Sequence, residues 1–97
     1  MKFGLPDHIL HAIIRELHKR ENITRAVIFG SRASDDYKYN SDIDLAVYCE
    51  GKLPPGLWVD LDEAAGIYKI DVVDMNSNLD EKLRREIEQG VEVYKRR

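Results

Sequence analysis

The stretch "VIFGSRASDDYKYNSDIDLAV", Val27 to Val47, decides how this chain folds. An apolar, β-prone block, Ala26 to Phe29, stops at Gly30 and reads as a buried strand. Asp42 to Cys49 reads as a second strand, with Ile43, Leu45 and Val47 alternating against Asp42, Asp44 and Ala46. On a strand, residues i and i+2 share a face about 6.5 to 7 Å apart, so Asp42 and Asp44 place two carboxylates on one side of the sheet. Two like charges held together call for a cation, and oxygen ligands on a rigid strand suit a hard divalent metal such as Mg²⁺. The bland reading, a strand start and a solvent-facing edge, loses ground because Gly30-Ser31 follows a buried strand. A glycine there lets the backbone turn tightly and approach a ligand. A helix beginning at that point would aim its free N–H groups at a phosphate.

Outward from this stretch, the pattern alternates. Pro6 and Asp7 suit a first helical turn, and Ile9, Leu10, Ile13, Ile14 and Leu17 follow helical spacing, which predicts a helix over 6–20. His8, His11, Arg15 and His18 fall on its opposite side. No carboxylate or cysteine joins them at ligand spacing, so they read as a solvated or partner-facing surface. "KLPPG" is a loop, and "LWVDLDEAAGIY", 57–68, has a weak helical pattern in which Trp58 reads as a loop anchor or a docking residue. "KIDVVDM", 69–75, is a third strand. Asn78 caps a further helix that carries Glu81, Leu83 and Ile87 and stops at Gly90. "VEVY", 91–94, adds a short edge strand. The whole predicts an α/β fold, one mixed β-sheet of three to four strands with flanking helices, in a single domain spanning 1–97.

Composition narrows the function classes. The 97 residues carry 43% hydrophobic and 34% charged side chains, as an ordered globule does. A formal charge of -3 offers no bulk attraction to a polyanion, and Lys95-Arg96-Arg97 reads as a solvated tail, so direct nucleic acid binding is not expected. Lone Cys49 forms no internal disulfide, and neither a signal peptide nor a membrane-length apolar run stands out. The expected location is the cytoplasm.

A third acid would complete a two-metal phosphoryl-transfer site. Asp71 and Asp74 both lie on the third strand and point to opposite faces, and alternation alone does not choose between them.

Gly30-Ser31, ten intervening residues, then Asp42-Ile43-Asp44 resembles the G-S-x10-D-x-D signature of the DNA polymerase beta-like nucleotidyltransferases. "FGSRA" and "SDIDLAV" are similar to the minimal, MntA-type members encoded beside HEPN-domain partners. The resemblance covers nearly the whole chain. It implies a nucleotidyltransferase in which Gly30, Ser31 and Arg32 bind the triphosphate of ATP. It implies that Asp42, Asp44 and Asp71 are catalytic and hold two Mg²⁺ ions, with Asp74 left to structure. It implies AMP transfer to a hydroxyl, a tyrosine on a HEPN-domain ribonuclease toxin, with this chain as the antitoxin in a homo- or hetero-oligomer. Where the family often continues "GSRA" with Arg-Gly, this chain has Ser34-Asp35-Asp36. That departure motivates a second reading, an antitoxin that inhibits by contact alone. A third is a small-molecule nucleotidyltransferase of the aminoglycoside kind, completed by a second subunit.

Overall fold

A computed structural model of the chain describes residues 2–97. Within them the elements run α1 (Asp7–His18), β1 (Ile23–Phe29), a 3₁₀ turn (Gly30–Arg32), β2 (Ile43–Cys49), α2 (Leu57–Ala64), β3 (Ile70–Asp74), α3 (Glu81–Glu88) and β4 (Val91–Lys95). The four strands form one mixed sheet, as the sequence pattern predicts, and their order is β3-β2-β1-β4. β1 runs antiparallel to both β2 and β4, and β2 runs parallel to β3. The parallel pair is joined through α2, since parallel neighbours need a long crossover.

Alternation sorts the strand residues onto two buried faces. Ile28, Ile43, Leu45, Val47 and Ile70 pack under α1 and α2, against Ile9, Ile13, Leu17, Leu57 and Leu61. Val27, Phe29, Ala46 and Val73 turn the other way and meet Leu83 and Ile87 of α3. The sheet is thus a middle layer with two helices on one side and one on the other. α3 is only eight residues long and does not cover the whole of its face. At the strand ends it leaves bare, that face carries Asp44 and Asp71 in place of apolar residues.

β1 begins three residues earlier than predicted. The bulge between Ile23 and Arg25 shifts the register so that Ile23, an odd number of positions from Ala26 and Ile28, still buries on their face. Polar Thr24 and Arg25 hid this from the alternation. The expected tail cation Arg96 is instead half-buried and tied to the fold. Its guanidinium donates to the carbonyls of His18 (2.8 Å), Arg20 (3.1 Å) and Ile23 (3.2 Å) and so closes the C-terminal end of α1, where free carbonyls and a cation suit each other.

The cap of α3 is Asp80, not Asn78. The Asp80 carboxylate accepts the Leu83 N–H at 2.7 Å, while Leu79 packs against the core and draws the chain inward before the helix starts. Asp80→Ala is expected to lower stability by about 1 kcal/mol, read as a reduced denaturation midpoint at an unchanged denaturant slope. Asn78→Ala should leave that midpoint in place.

Candidate functional site

Gly30 begins the site because of what lies against it. Its φ is +76°, in the left-handed region, and a Cβ there would stand 2.5 Å from Asp44 Oδ2. Both facts require glycine. The backbone leaving β1 is therefore pressed onto the Asp44 carboxylate from the neighbouring strand, to which Phe29 is paired. Gly30-Ser31 and Asp44 are parts of one locality, though the chain takes thirteen residues to travel between Ser31 and Asp44.

The parallel register brings a further acid next to Asp44. Asp44 is directly opposite Asp71, and cross-strand partners in a sheet share a face. Asp71 therefore stands beside Asp44, while Asp42 lies just before β2 begins at Ile43 and its charge acts on Asp44. Asp74 faces the other way at the far end of β3, where its carboxylate accepts the Asn76 N–H at 2.9 Å and shapes the turn that follows. The alternatives that alternation left open are separated by register.

The carboxyl of Asp44 is pushed above its ordinary range, first by burial and then by the charges of Asp71, Asp42 and Glu86. Glu86, on α3, is a contributor that the sequence did not suggest, because only the docking of α3 brings it near. None of these four acids forms an ion pair among the described residues. The site therefore concentrates negative charge on oxygen donors without a protein cation to balance it, which is the donor chemistry of Mg²⁺. As they stand, no three His, Cys, Asp or Glu side chains among the described residues are grouped closely enough to hold a metal ion.

Two depressions flank the acids. One, of about 200 Å³, is lined by Gly30, Ala33, Ser34, Glu86 and Gln89. The other, of about 340 Å³, is lined by Tyr39, Asn40, Ser41, Asp42, Ile67, Tyr68 and Lys69. In the second, Tyr39 is 88% and Ile67 94% exposed, a large apolar rim for so small a surface. Lys69 is in no ion pair among the described residues. It was absent from the sequence expectation, although it stands two residues before Asp71. A third depression, of about 500 Å³ between α1 and β4, contains none of the three aspartates.

The helix expected at Gly30 is instead a single 3₁₀ turn, Gly30–Arg32. It gives way at Asp35, whose φ of +64° is left-handed. No helix dipole acts there, and only the first N–H groups of the turn, which have no partner inside it, are offered to an anion. Ser34 joins the lining of the first depression, whereas Asp35 and Asp36 are exposed and outside it. Arg32 is buried, with its guanidinium turned to backbone carbonyls. His8, His11, Arg15 and His18 are all exposed on α1. Trp58 donates its indole N–H to the Ile70 carbonyl at 3.3 Å, anchoring α2 at the start of β3 while remaining half-exposed. Burial raises the Cys49 thiol, with the Asp74 charge adding to it. No helix among the described residues is long and apolar enough to cross a membrane.

Comparison with known proteins agrees with this geometry. The family model described as polymerase beta, nucleotidyltransferase matches residues 11–97. A crystal structure of a toxin-antitoxin complex with AMP-PNP contains a chain 26% identical to this one, with a TM-score of 0.75 over 90% of this chain and 73% of that one. A Y104A mutant of an MntA toxin-antitoxin complex gives 25% identity and a TM-score of 0.71 over 89% and 72%. A complex of a tri-AMPylated HEPN toxin with an MNT antitoxin from Shewanella oneidensis shares the fold, at 23% identity and a TM-score of 0.68 over 91% and 71%. No curated protein matches the chain. The chain belongs to the polymerase beta nucleotidyltransferase family, and its likeness to the MntA-type members extends from the sequence signature to the fold.

Proposed function

We propose that this protein transfers AMP from ATP to a tyrosine hydroxyl of a HEPN-domain toxin and thereby acts as its antitoxin in the cytoplasm. The observation that carries the reading is the meeting of Gly30 with Asp44 and of Asp44 with Asp71, which sets the Gly30-Ser31 turn against two neighbouring carboxylates. The AMP-PNP in the 26% identical complex supports the choice of nucleotide.

In this mechanism Gly30 and Ser31 seat the triphosphate, and Asp42, Asp44 and Asp71 hold Mg²⁺. When bound, Mg²⁺ neutralises charge on the attacking and leaving oxygens. Glu86 and the trio are too negative to accept a polyphosphate otherwise. In-line displacement puts the acceptor opposite the leaving pyrophosphate. With the phosphates at Gly30 and Ser31, the acceptor enters from the Asp42 side, where Tyr39 and Ile67 give a protein partner an apolar rim. Asp71 takes the proton of the tyrosine hydroxyl as its oxygen bonds to the α-phosphorus. The bond from that phosphorus to the bridging oxygen breaks, and pyrophosphate leaves.

Inhibition by contact alone drew its motive from Asp35 and Asp36, and their position outside the lining of the Gly30 depression favours transfer. The test is incubation with α-labelled ATP, Mg²⁺ and the product of the adjacent gene. Label is expected on tyrosine of that product. A tight complex that gains no label would overturn the reading and leave a binder. Asp71→Asn should reduce labelling at least about 10³-fold, the loss of several kcal/mol of transition-state stabilisation. Asp74→Asn should stay within about threefold, since an amide oxygen still accepts the Asn76 N–H. The reverse order would reassign the third acid.

A further inference from the structure

Arg32 is the only charged residue buried among the described residues, at 1% exposure. A buried charge is costly unless it is answered, and no carboxylate answers this one. Its guanidinium donates from Nη1 to the Phe3 carbonyl (2.7 Å), from Nε and Nη2 to the Ser41 carbonyl (3.1 and 2.8 Å), and from Nη2 to the Tyr39 carbonyl (3.4 Å). The rings of Tyr37 and Tyr68 lie 5.4 and 5.2 Å from its central carbon, within cation–π range.

Arg32 and these partners belong to four separate segments. Phe3 precedes α1, Tyr37 to Ser41 form the loop leading into β2, Tyr68 leads into β3, and Arg32 itself ends the 3₁₀ turn. Two of the contacts matter most for the site. Ser41 immediately precedes Asp42, and Tyr68 immediately precedes Lys69, both of which line the second depression. The turn that carries Gly30-Ser31 is thereby tied through one guanidinium to the chain that delivers Asp42. Only a planar fork of donors reaches these carbonyls together; a lysine ammonium is a point charge on a single stem.

We infer that Arg32 is a positioning residue that fixes the Tyr39–Asp42 segment against the Gly30-Ser31 turn and does not touch the nucleotide. The catalytic consequence rests on the transfer reading above, but the structural one does not. The experiment combines amide hydrogen exchange, titration with AMP-PNP and Mg²⁺, and steady-state transfer on the full chain. The informative amides are Ser41, which donates to the Lys38 carbonyl (3.0 Å), and Lys38, which donates to Ser41 Oγ (2.8 Å).

In Arg32→Lys, exchange at Lys38 and Ser41 should accelerate at least about tenfold while central β1 and β2 amides stay protected. AMP-PNP affinity and the KM for ATP should stay within about threefold and kcat should fall at least about 30-fold, the split expected when the reacting geometry and not substrate binding is lost. Unchanged exchange with AMP-PNP affinity weakened tenfold or more would overturn the inference and make Arg32 a phosphate ligand. If Arg32→Lys does not fold, Tyr68→Leu removes one ring and leaves the hydrogen bonds. The same two amides should then accelerate by a smaller factor, and no acceleration would also overturn the inference. Accelerated exchange in a protein whose parent form transfers no AMP would refute the transfer reading and leave the positioning role standing.

Discussion

Asp44→Asn is expected to abolish transfer and at the same time raise the melting temperature. The two effects share one cause. Asp44 is pressed by burial and by the charges of Asp71, Asp42 and Glu86, so its ionised form is unfavourable in the folded protein. Because the folded chain keeps this proton to higher pH than the unfolded chain does, it binds more protons in the interval between the two pKa values. Stability then falls as pH rises from the ordinary Asp value, about 3.9, through the raised one, and stays lowered above it. The asparagine carries no such penalty. At pH 7 the variant should therefore be the more stable of the two, read as a higher Tm.

Melting curves from pH 3 to 7 check this. The gap between variant and parent should open with rising pH and then level off. Glu16, held below its usual range chiefly by a hydrogen bond from Lys19, loses its contribution on acidification in both proteins and cancels from the difference. Mg²⁺ should raise the Tm of the parent by mass action and leave the variant nearly unmoved. Parallel curves, or a variant less stable at pH 7, would show that Asp44 is not held against its charge. Transfer by the variant should fall at least about 10³-fold, since a ligand to the ion that neutralises the transition state is gone. Activity and stability are thus opposed at one residue, as expected where a cluster of charges is retained for chemistry.

How far the sequence foretold this site depends on the range of the interaction concerned. Asp42 and Asp44 share a face because strand geometry has a period of two, which is visible in the letters. The choice of Asp71 over Asp74 needs the register between β2 and β3, and register is set by packing of whole faces. The sequence resemblance implies Asp71, and alternation alone does not choose. Glu86 was missed because it reaches Asp44 only through the docking of α3. Arg32 has its surroundings in three other segments, and nothing local distinguishes a buried guanidinium from a phosphate ligand. The cap of α3 slipped from Asn78 to Asp80 because both residues are good caps and the anchoring of Leu79 decided between them. The helix expected after Gly30 shrank to one turn because the chain reverses at Asp35 to reach β2.

Gly30→Ala is expected to destabilise the fold by about 2–5 kcal/mol and to reduce transfer at least about 10²-fold. Two separable strains add up to this. A left-handed φ costs a non-glycine residue about 1–2 kcal/mol. The new methyl also meets Asp44 Oδ2, and such overpacking costs about 1–3 kcal/mol. The carboxylate must swing away to relieve the contact, and a 1 Å displacement of a reacting group is enough for a hundredfold loss. A double-mutant cycle with Asp44→Ala separates the strains. Truncating Asp44 removes the clashing atoms, so Gly30→Ala in that background should cost only the backbone term, a coupling of about 1–3 kcal/mol measured by denaturant unfolding. If the two substitutions are additive, glycine is needed at position 30 for its φ alone, and the close seating of the turn on the carboxylate plays no part in building the site. If they couple, the G-S and D-x-D halves of the signature are held together by a single steric contact. Glycine at the end of β1 is then as much a requirement of the aspartate as of the phosphate.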